Sequence, residues 1–139
     1  MIDEYSYGIV PLRRKEDIWE LFLIQHTKGK HWGFPKGKAE ESELPLNAAI
    51  RELFEETGLR PTHFLKKEPL VEEYRFVRNE KSVKKRVLFF IAEVEGEVSL
   101  PPHEISEGRW VSFAEANHLL THKETRHLLE SVISILWPA

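Results

Sequence analysis

The chain has 139 residues, 41% of them hydrophobic and 31% charged, with a net charge of −3. This is one domain's worth of sequence, too apolar for disorder and too interrupted by charge for a membrane span. Its acidity excludes a grip on nucleic acid by bulk charge, and the lack of cysteine excludes a disulfide scaffold, a thiolate metal site and a cysteine nucleophile.

In chain order, residues 5–13 and 18–26 read as two strands joined by the charged turn Arg14-Lys15-Glu16-Asp17. The apolar centre Leu21-Phe22-Leu23-Ile24 predicts a second strand covered on both faces. A polar loop over 27–31 leads into Trp32-Gly33-Phe34-Pro35-Lys36-Gly37-Lys38, whose glycines, proline and aromatics predict an irregular but anchored segment. Pro45 suits the first position of a helix running from Leu46 to about Thr57, with Gly58 as a left-handed cap and Pro61 preventing continuation. Strands are expected over 64–76 and 84–95, joined by the charged hairpin Arg78-Asn79-Glu80-Lys81. Residues 101–104 read as a loop, 108–113 as a short strand, and 114–120 and 123–137 as helices. Leu128, Leu129, Val132 and Leu136 give the last helix an apolar stripe, and Trp110 and Trp137 read as packing residues.

The helix after Pro45 breaks local rules. Leu46, Ala49, Ile50 and Leu53 fall at helical spacing and form its expected buried face. Glu52, Glu55 and Glu56 stand at i, i+3 and i+4 and share a second face. Like charges there cost roughly 0.2–0.5 kcal/mol per pair, and anions in the last turns oppose the helix dipole by roughly 0.3–1 kcal/mol each. One reading is a solvated face with Arg51 offsetting Glu55. The sharper reading is a divalent cation site: several hard carboxylate oxygens, without Cys or an obvious His, suit Mg²⁺ or Mn²⁺ rather than Zn²⁺. Local rules broken in this way mark functional sites.

From Gly37 the chain reads glycine, five residues, Glu43, seven residues, then Arg51-Glu52-Leu53-Phe54-Glu55-Glu56-Thr57-Gly58-Leu59. This resembles the Nudix box, with every fixed position filled over residues 37–59. The resemblance implies one Nudix domain over 1–139, of α+β class: an α/β/α sandwich with a mixed β-sheet between helices. It also implies hydrolysis of a nucleoside diphosphate linked to another group, with Mg²⁺ or Mn²⁺ held by the box. Carried over by position, Glu52, Glu55 and Glu56 would bind metal. Arg51 would orient them, Gly37 would let the backbone approach the ion, and Glu43 would support the helix start. Glu56 and Glu52 are the first candidates for the catalytic base.

The run Trp32-Gly33-Phe34-Pro35-Lys36-Gly37 is similar to the matching segment of the asymmetric diadenosine tetraphosphate hydrolases. Leu88-Phe89-Phe90-Ile91-Ala92-Glu93-Val94 and His103-Glu104 ahead of Arg109-Trp110-Val111 are similar to that branch too. The resemblance gives Glu104 a supporting part at the metal, from a separate loop. Lys36 and Lys85 would contact phosphate. Tyr74 would contact phosphate or stack on adenine, and His31 would reach the phosphates. The other basic residues between Arg75 and Arg86 read as a solvated hairpin. The expected reaction is attack of water on diadenosine tetraphosphate, releasing ATP and AMP.

The alternatives are an RNA 5′-pyrophosphohydrolase, a nucleoside triphosphate pyrophosphatase, or a nucleotide-binding module without turnover. The expected partner is a small nucleotide, with an RNA 5′ end under the alternative, no membrane and no obligate protein partner. The acidic start and the lack of cysteine lead to a cytoplasmic expectation. There is no P-loop and no dinucleotide fingerprint, and a helix break is expected among His118, His122 and His127, which disfavours zinc there.

Overall fold

Polar dipeptides at positive φ place the two hairpins. This computed structural model describes residues 1–138. β1 (Ile2–Lys15) and β2 (Ile18–His26) join through Glu16 and Asp17, at φ 52° and 64°. β6 (Leu70–Arg78) and β7 (Lys81–Glu95) join through Asn79 and Glu80, at 51° and 65°. Two consecutive residues of positive φ twist in the sense of the strands they connect.

The short strands β3 (Trp32–Gly33) and β4 (Lys36–Gly37) precede α1 (Pro45–Thr57) and β5 (Arg60–Phe64). β8 (Ile105–Val111), α2 (Phe113–Leu119) and α3 (Lys123–Leu136) complete the chain. The sheet runs β3-β2-β1-β7-β5, with β4 on β1, β6 on β7 and β8 on β2. β1 and β7 pair in parallel from Ile2↔Val83 to Leu12↔Glu93, while the other pairings are antiparallel, so the sheet is mixed. Both faces of its centre are apolar and both are covered. Val10, Leu12, Leu23, Val87, Phe89 and Ile91 meet Ala116 of α2 and Leu128, Leu129 and Val132 of α3. On the other face Ile9, Phe22, Ile24, Phe90 and Ala92 meet Ala49 and Leu53 of α1. The α+β sandwich with a mixed sheet between helices is thus the observed architecture.

Four expectations need correction. The strand over 64–76 is two strands: Phe64 pairs with Ala92 and Leu70 with Phe89, and between them Pro69, which has no N–H, interrupts the ladder. β8 begins at Ile105 rather than Gly108. It stops before Phe113 because Ser112 caps α2, its Oγ accepting the Glu115 N–H at 3.1 Å. Leu46 is 36% exposed rather than buried. The inward residues of α1 are Ala48, Ala49, Leu53, Glu56 and Thr57, a phase that turns one of the three glutamates into the protein. Trp137 is half exposed, although its ring meets Phe113 edge-on at 5.2 Å. Among the described residues no helix is long and apolar enough to cross a membrane.

Candidate active site

The site is built at the C-terminal half of α1, where it faces the β4 edge. Thr57, fully buried, donates its hydroxyl to Leu53 O at 2.6 Å and accepts the Leu59 N–H at 3.0 Å. Gly58 then ends the helix at φ 81°, where a Cβ would come within 2.6 Å of Glu97 O. This double lock fixes the rotation of the last turn and therefore the direction of Glu52, Glu55 and Glu56.

Arg51 holds the loop and the helix together. Its Nε and Nη2 donate to Glu43 at 2.9 and 3.0 Å, and Nη2 also donates to Lys38 O at 2.9 Å. Its Nη1 donates to Glu52 and Glu55, both at 2.9 Å. Glu43 therefore clamps Arg51 and does not cap α1, whose N-terminal residue Leu44 makes no side-chain cap. The Arg51 side chain holds the Glu43 carboxyl below its ordinary range and is itself raised by its carboxylate partners. Arg51→Met should cost about 1–2 kcal/mol of stability, because it leaves the gathered carboxylates without a cation. A urea midpoint matching the wild type would discard this clamp.

Glu56 is 7% exposed and accepts the Lys36 backbone N–H at 3.0 Å. Burial, reinforced by the neighbouring Glu52, pushes its carboxyl up to about 8, against the pull of the Lys36 N–H and ammonium. Glu52 is raised too, by burial first, with Arg51 opposing. Glu55 is the exposed member of the trio. Glu104 arrives on a separate loop. That loop is tied to the end of β2 by the Thr27 N–H to Glu104 O bond, at 2.8 Å. Glu52, Glu55, Glu56 and Glu104 border one open cleft of about 390 Å³, together with His26, Lys28 and His103.

The donor set fits a hard divalent cation: carboxylate oxygens from two chain segments, no sulfur, and desolvated charge awaiting a counter-ion. The backbone at Gly37 fits as well, since a Cβ there would stand inside the volume of the Glu52 carboxylate. Among the described residues no three acidic or histidine side chains are already drawn tightly enough to ligate one ion. Arg51 holds Glu52 and Glu55, and the Lys36 N–H holds Glu56.

The expected substrate contacts separate. Lys36 does not border the cleft but donates its amide to Glu56, which does. His31 stacks on His26 at 4.3 Å and approaches His122 at 5.8 Å. Burial, then His31 and Lys36, push His26 down to about 4, and burial, then His122 and Lys36, lower His31. Tyr74, half-buried on β6, borders an apolar slot of about 250 Å³ with Phe76, His122 and Glu124. Lys85 sits opposite Tyr74 in the strand pair but is 7% exposed. Its ammonium donates to Ser6 Oγ at 2.6 Å and lies 3.9 Å from Glu4, so it is engaged within the protein. Burial pushes its pKa down. His26 and Lys28 at the cleft, and Phe76 and Glu124 at the slot, carry no site signal in the sequence; His103 enters there only beside Glu104. His26 and Phe76 had read only as strand residues, and nothing in their local pattern distinguishes them.

A NUDIX domain model matches residues 4–132. The chain is 34% identical over 118 residues to the m7GpppN-mRNA hydrolase dcap-2 of Caenorhabditis elegans, covering 85% of this chain and 14% of that one. It is 43% identical over 65 residues to the RNA pyrophosphohydrolase of Bartonella bacilliformis, covering 42% and 38%. It is 33% identical over 115 residues to the asymmetrical bis(5′-nucleosyl)-tetraphosphatase of Mus musculus, covering 80% and 76%. The first two relatives are thus much longer than the part this chain spans. Among solved structures, a C. elegans Ap4A hydrolase binary complex superposes with a TM-score of 0.74 at 23% identity, over 96% of this chain and 97% of that one.

Proposed function

This chain belongs to the Nudix family, and on that footing we propose that it is a metal-dependent pyrophosphohydrolase that cleaves dinucleoside tetraphosphates asymmetrically. The observation that carries the reading is a continuous path across the molecule. The carboxylate cleft reaches His26; His26 stacks on His31; His31 meets His122; and His122 borders the aromatic slot of Tyr74 and Phe76. A base in the slot would lay its phosphates along the histidines toward the carboxylates. The mouse relative, at 33% identity, carries that activity in its name.

In this reading Glu52, Glu56 and Glu104 would hold Mg²⁺ or Mn²⁺, with Glu55 at the rim. The bound metal neutralises polyphosphate charge and acidifies water. Glu56 stands as the first candidate to take the proton from the attacking water, since it is the most deeply set carboxylate bordering the cleft. Glu52 is the second. Arg51 would position Glu52 directly and tie the helix to the Lys38 carbonyl, while the Lys36 N–H would position Glu56. Lys36, with His31 at its side, would counter phosphate charge not taken by metal.

The rival reading is an RNA 5′ end, which the decapping and RNA pyrophosphohydrolase relatives favour. The basic hairpin does not strengthen it. Arg78 pairs with Glu4 at 2.7 Å and Arg86 with Glu73 at 2.9 Å, leaving less free charge than the sequence suggests. A substrate panel with Mg²⁺ in isotope-labelled water tests the choice. Equimolar nucleoside triphosphate and monophosphate from diadenosine tetraphosphate is the expected outcome. Two diphosphates, or faster and steeply salt-dependent turnover of triphosphorylated RNA, would overturn it.

A further inference from the structure

Among the described residues β6 pairs with β7 on one side and with no strand on the other. The hairpin fixes which of its backbone groups are spare. The two-residue turn Asn79-Glu80, at positive φ, closes on a hydrogen-bonded pair, Arg78 with Lys81. Bonded and non-bonded pairs then alternate, so Phe76, Tyr74 and Glu72 bond to β7, and Val71, Glu73, Arg75 and Val77 turn N–H and C=O outward. No bulge, glycine or proline interrupts Leu70–Arg78, although proteins ordinarily blunt a long open edge with such features. α3 leaves space beside the edge: a cavity of about 250 Å³ is lined by Val71 and Glu73 together with Glu124, His127 and Ser131.

The side chains of the outward residues are exposed as well, and their order is self-complementary. Val71 and Val77 are 56% and 70% exposed. Glu73 pairs with Arg86 at 2.9 Å, whereas Arg75 lies opposite the like-charged Lys84. Laid antiparallel on a second copy about a two-fold axis at Tyr74, the strand sets Glu73 opposite Arg75 twice over, and Val71 opposite Val77 twice over. All of these are outward-pointing residues, so the same register closes the backbone bonds. An axis at Glu73 or at Arg75 would set like charges face to face. An axis between two residues would set outward groups against inward ones. Tyr74 is the position that satisfies backbone and charge together.

We propose that β6 is a homodimer interface, at which two copies of this chain join edge to edge about Tyr74 into one continuous sheet. The axis brings the two aromatic slots side by side, since Tyr74 and Phe76 line them. Nothing in this pairing depends on the reaction proposed above.

Sedimentation equilibrium over micromolar concentrations, from about 1 to 200 µM, should show a reversible monomer–dimer equilibrium, as a small interface gives. Glu73→Arg and Arg75→Glu each set like charges opposite one another and should raise Kd by about tenfold or more. Mixed one to one, the two variants set acid opposite base at both positions and should associate nearly as the wild type does. Tyr74→Cys gives a chain with a single cysteine, because the sequence has none. A non-bonded pair holds its Cα atoms about 4.5 Å apart, within disulfide reach, so oxidation should yield a covalent dimer. Val71→Cys, distant from its own copy across the axis, should not cross-link. A wild type that stays monomeric over the whole range overturns the inference. So does a dimer whose Kd ignores both charge changes, a mixture that stays apart, or equal cross-linking through either cysteine. If a charge variant fails to fold, the cysteine pair decides by itself.

Discussion

Glu56→Gln should lower turnover by roughly 10²–10⁴-fold while making the metal-free protein more heat-resistant at alkaline pH. The two effects share one cause. A glutamate in the unfolded chain ionises near 4.5, whereas folded Glu56 holds its proton up to about 8 because it is buried beside Glu52. Below 4.5 both states are protonated and the burial costs nothing. Between 4.5 and 8 the unfolded carboxyl ionises freely and the folded one resists, so stability falls as pH rises. Above about 8 the loss is complete, on the order of several kcal/mol. Glutamine removes the charge and keeps an oxygen for the Lys36 N–H. Kinetics at saturating Mg²⁺ and thermal melts in EDTA at pH 6 and pH 9 read both effects. Unchanged turnover would take Glu56 out of the mechanism. A variant that melts with the wild type at pH 9 would refute the desolvated carboxylate.

Gly37→Ala should cost roughly 10²-fold in turnover with little change in melting temperature. The new Cβ would occupy the volume of the Glu52 carboxylate. The obstacle is the far end of a flexible side chain, so the fold survives by letting Glu52 swing away. Its bond to Arg51 at 2.9 Å is then lost, and the acid leaves the cleft. The backbone is not the difficulty, since Gly37 is absent from the residues of positive φ. Wild-type turnover from Gly37→Ala would show that Glu52 need not stand where it does. A collapse of melting temperature would show instead that β4 cannot accept any side chain there.

Much of this architecture was legible without coordinates. The continuous apolar centre of the second strand, Pro45 and Gly58 as helix brackets, and the i, i+3, i+4 acids all depend on neighbours a few residues away. The apolar stripe of α1 gives Ala49, Ile50 and Leu53 their inward places but also puts Leu46 inside, where it is 36% exposed. The structure turns Ala48, Glu56 and Thr57 inward because Thr57 and Gly58 lock the last turn. The stretch 64–76 divides because β5 and β6 take successive stretches of one β7 edge, which strand propensity does not register.

What the residue order determined by itself was periodicity, punctuation and the acidic ridge of α1, because those rest on short-range geometry common to any helix or strand. What only the tertiary structure decided was which of three similar glutamates is desolvated. It also decided that Lys85 is engaged by Ser6 and Glu4, that Glu104 and His26 border one cleft, and that Tyr74 and His122 border one slot, each from distant segments. Burial and long-range electrostatics are properties of surroundings, and surroundings exist only once the sheet has brought remote residues together.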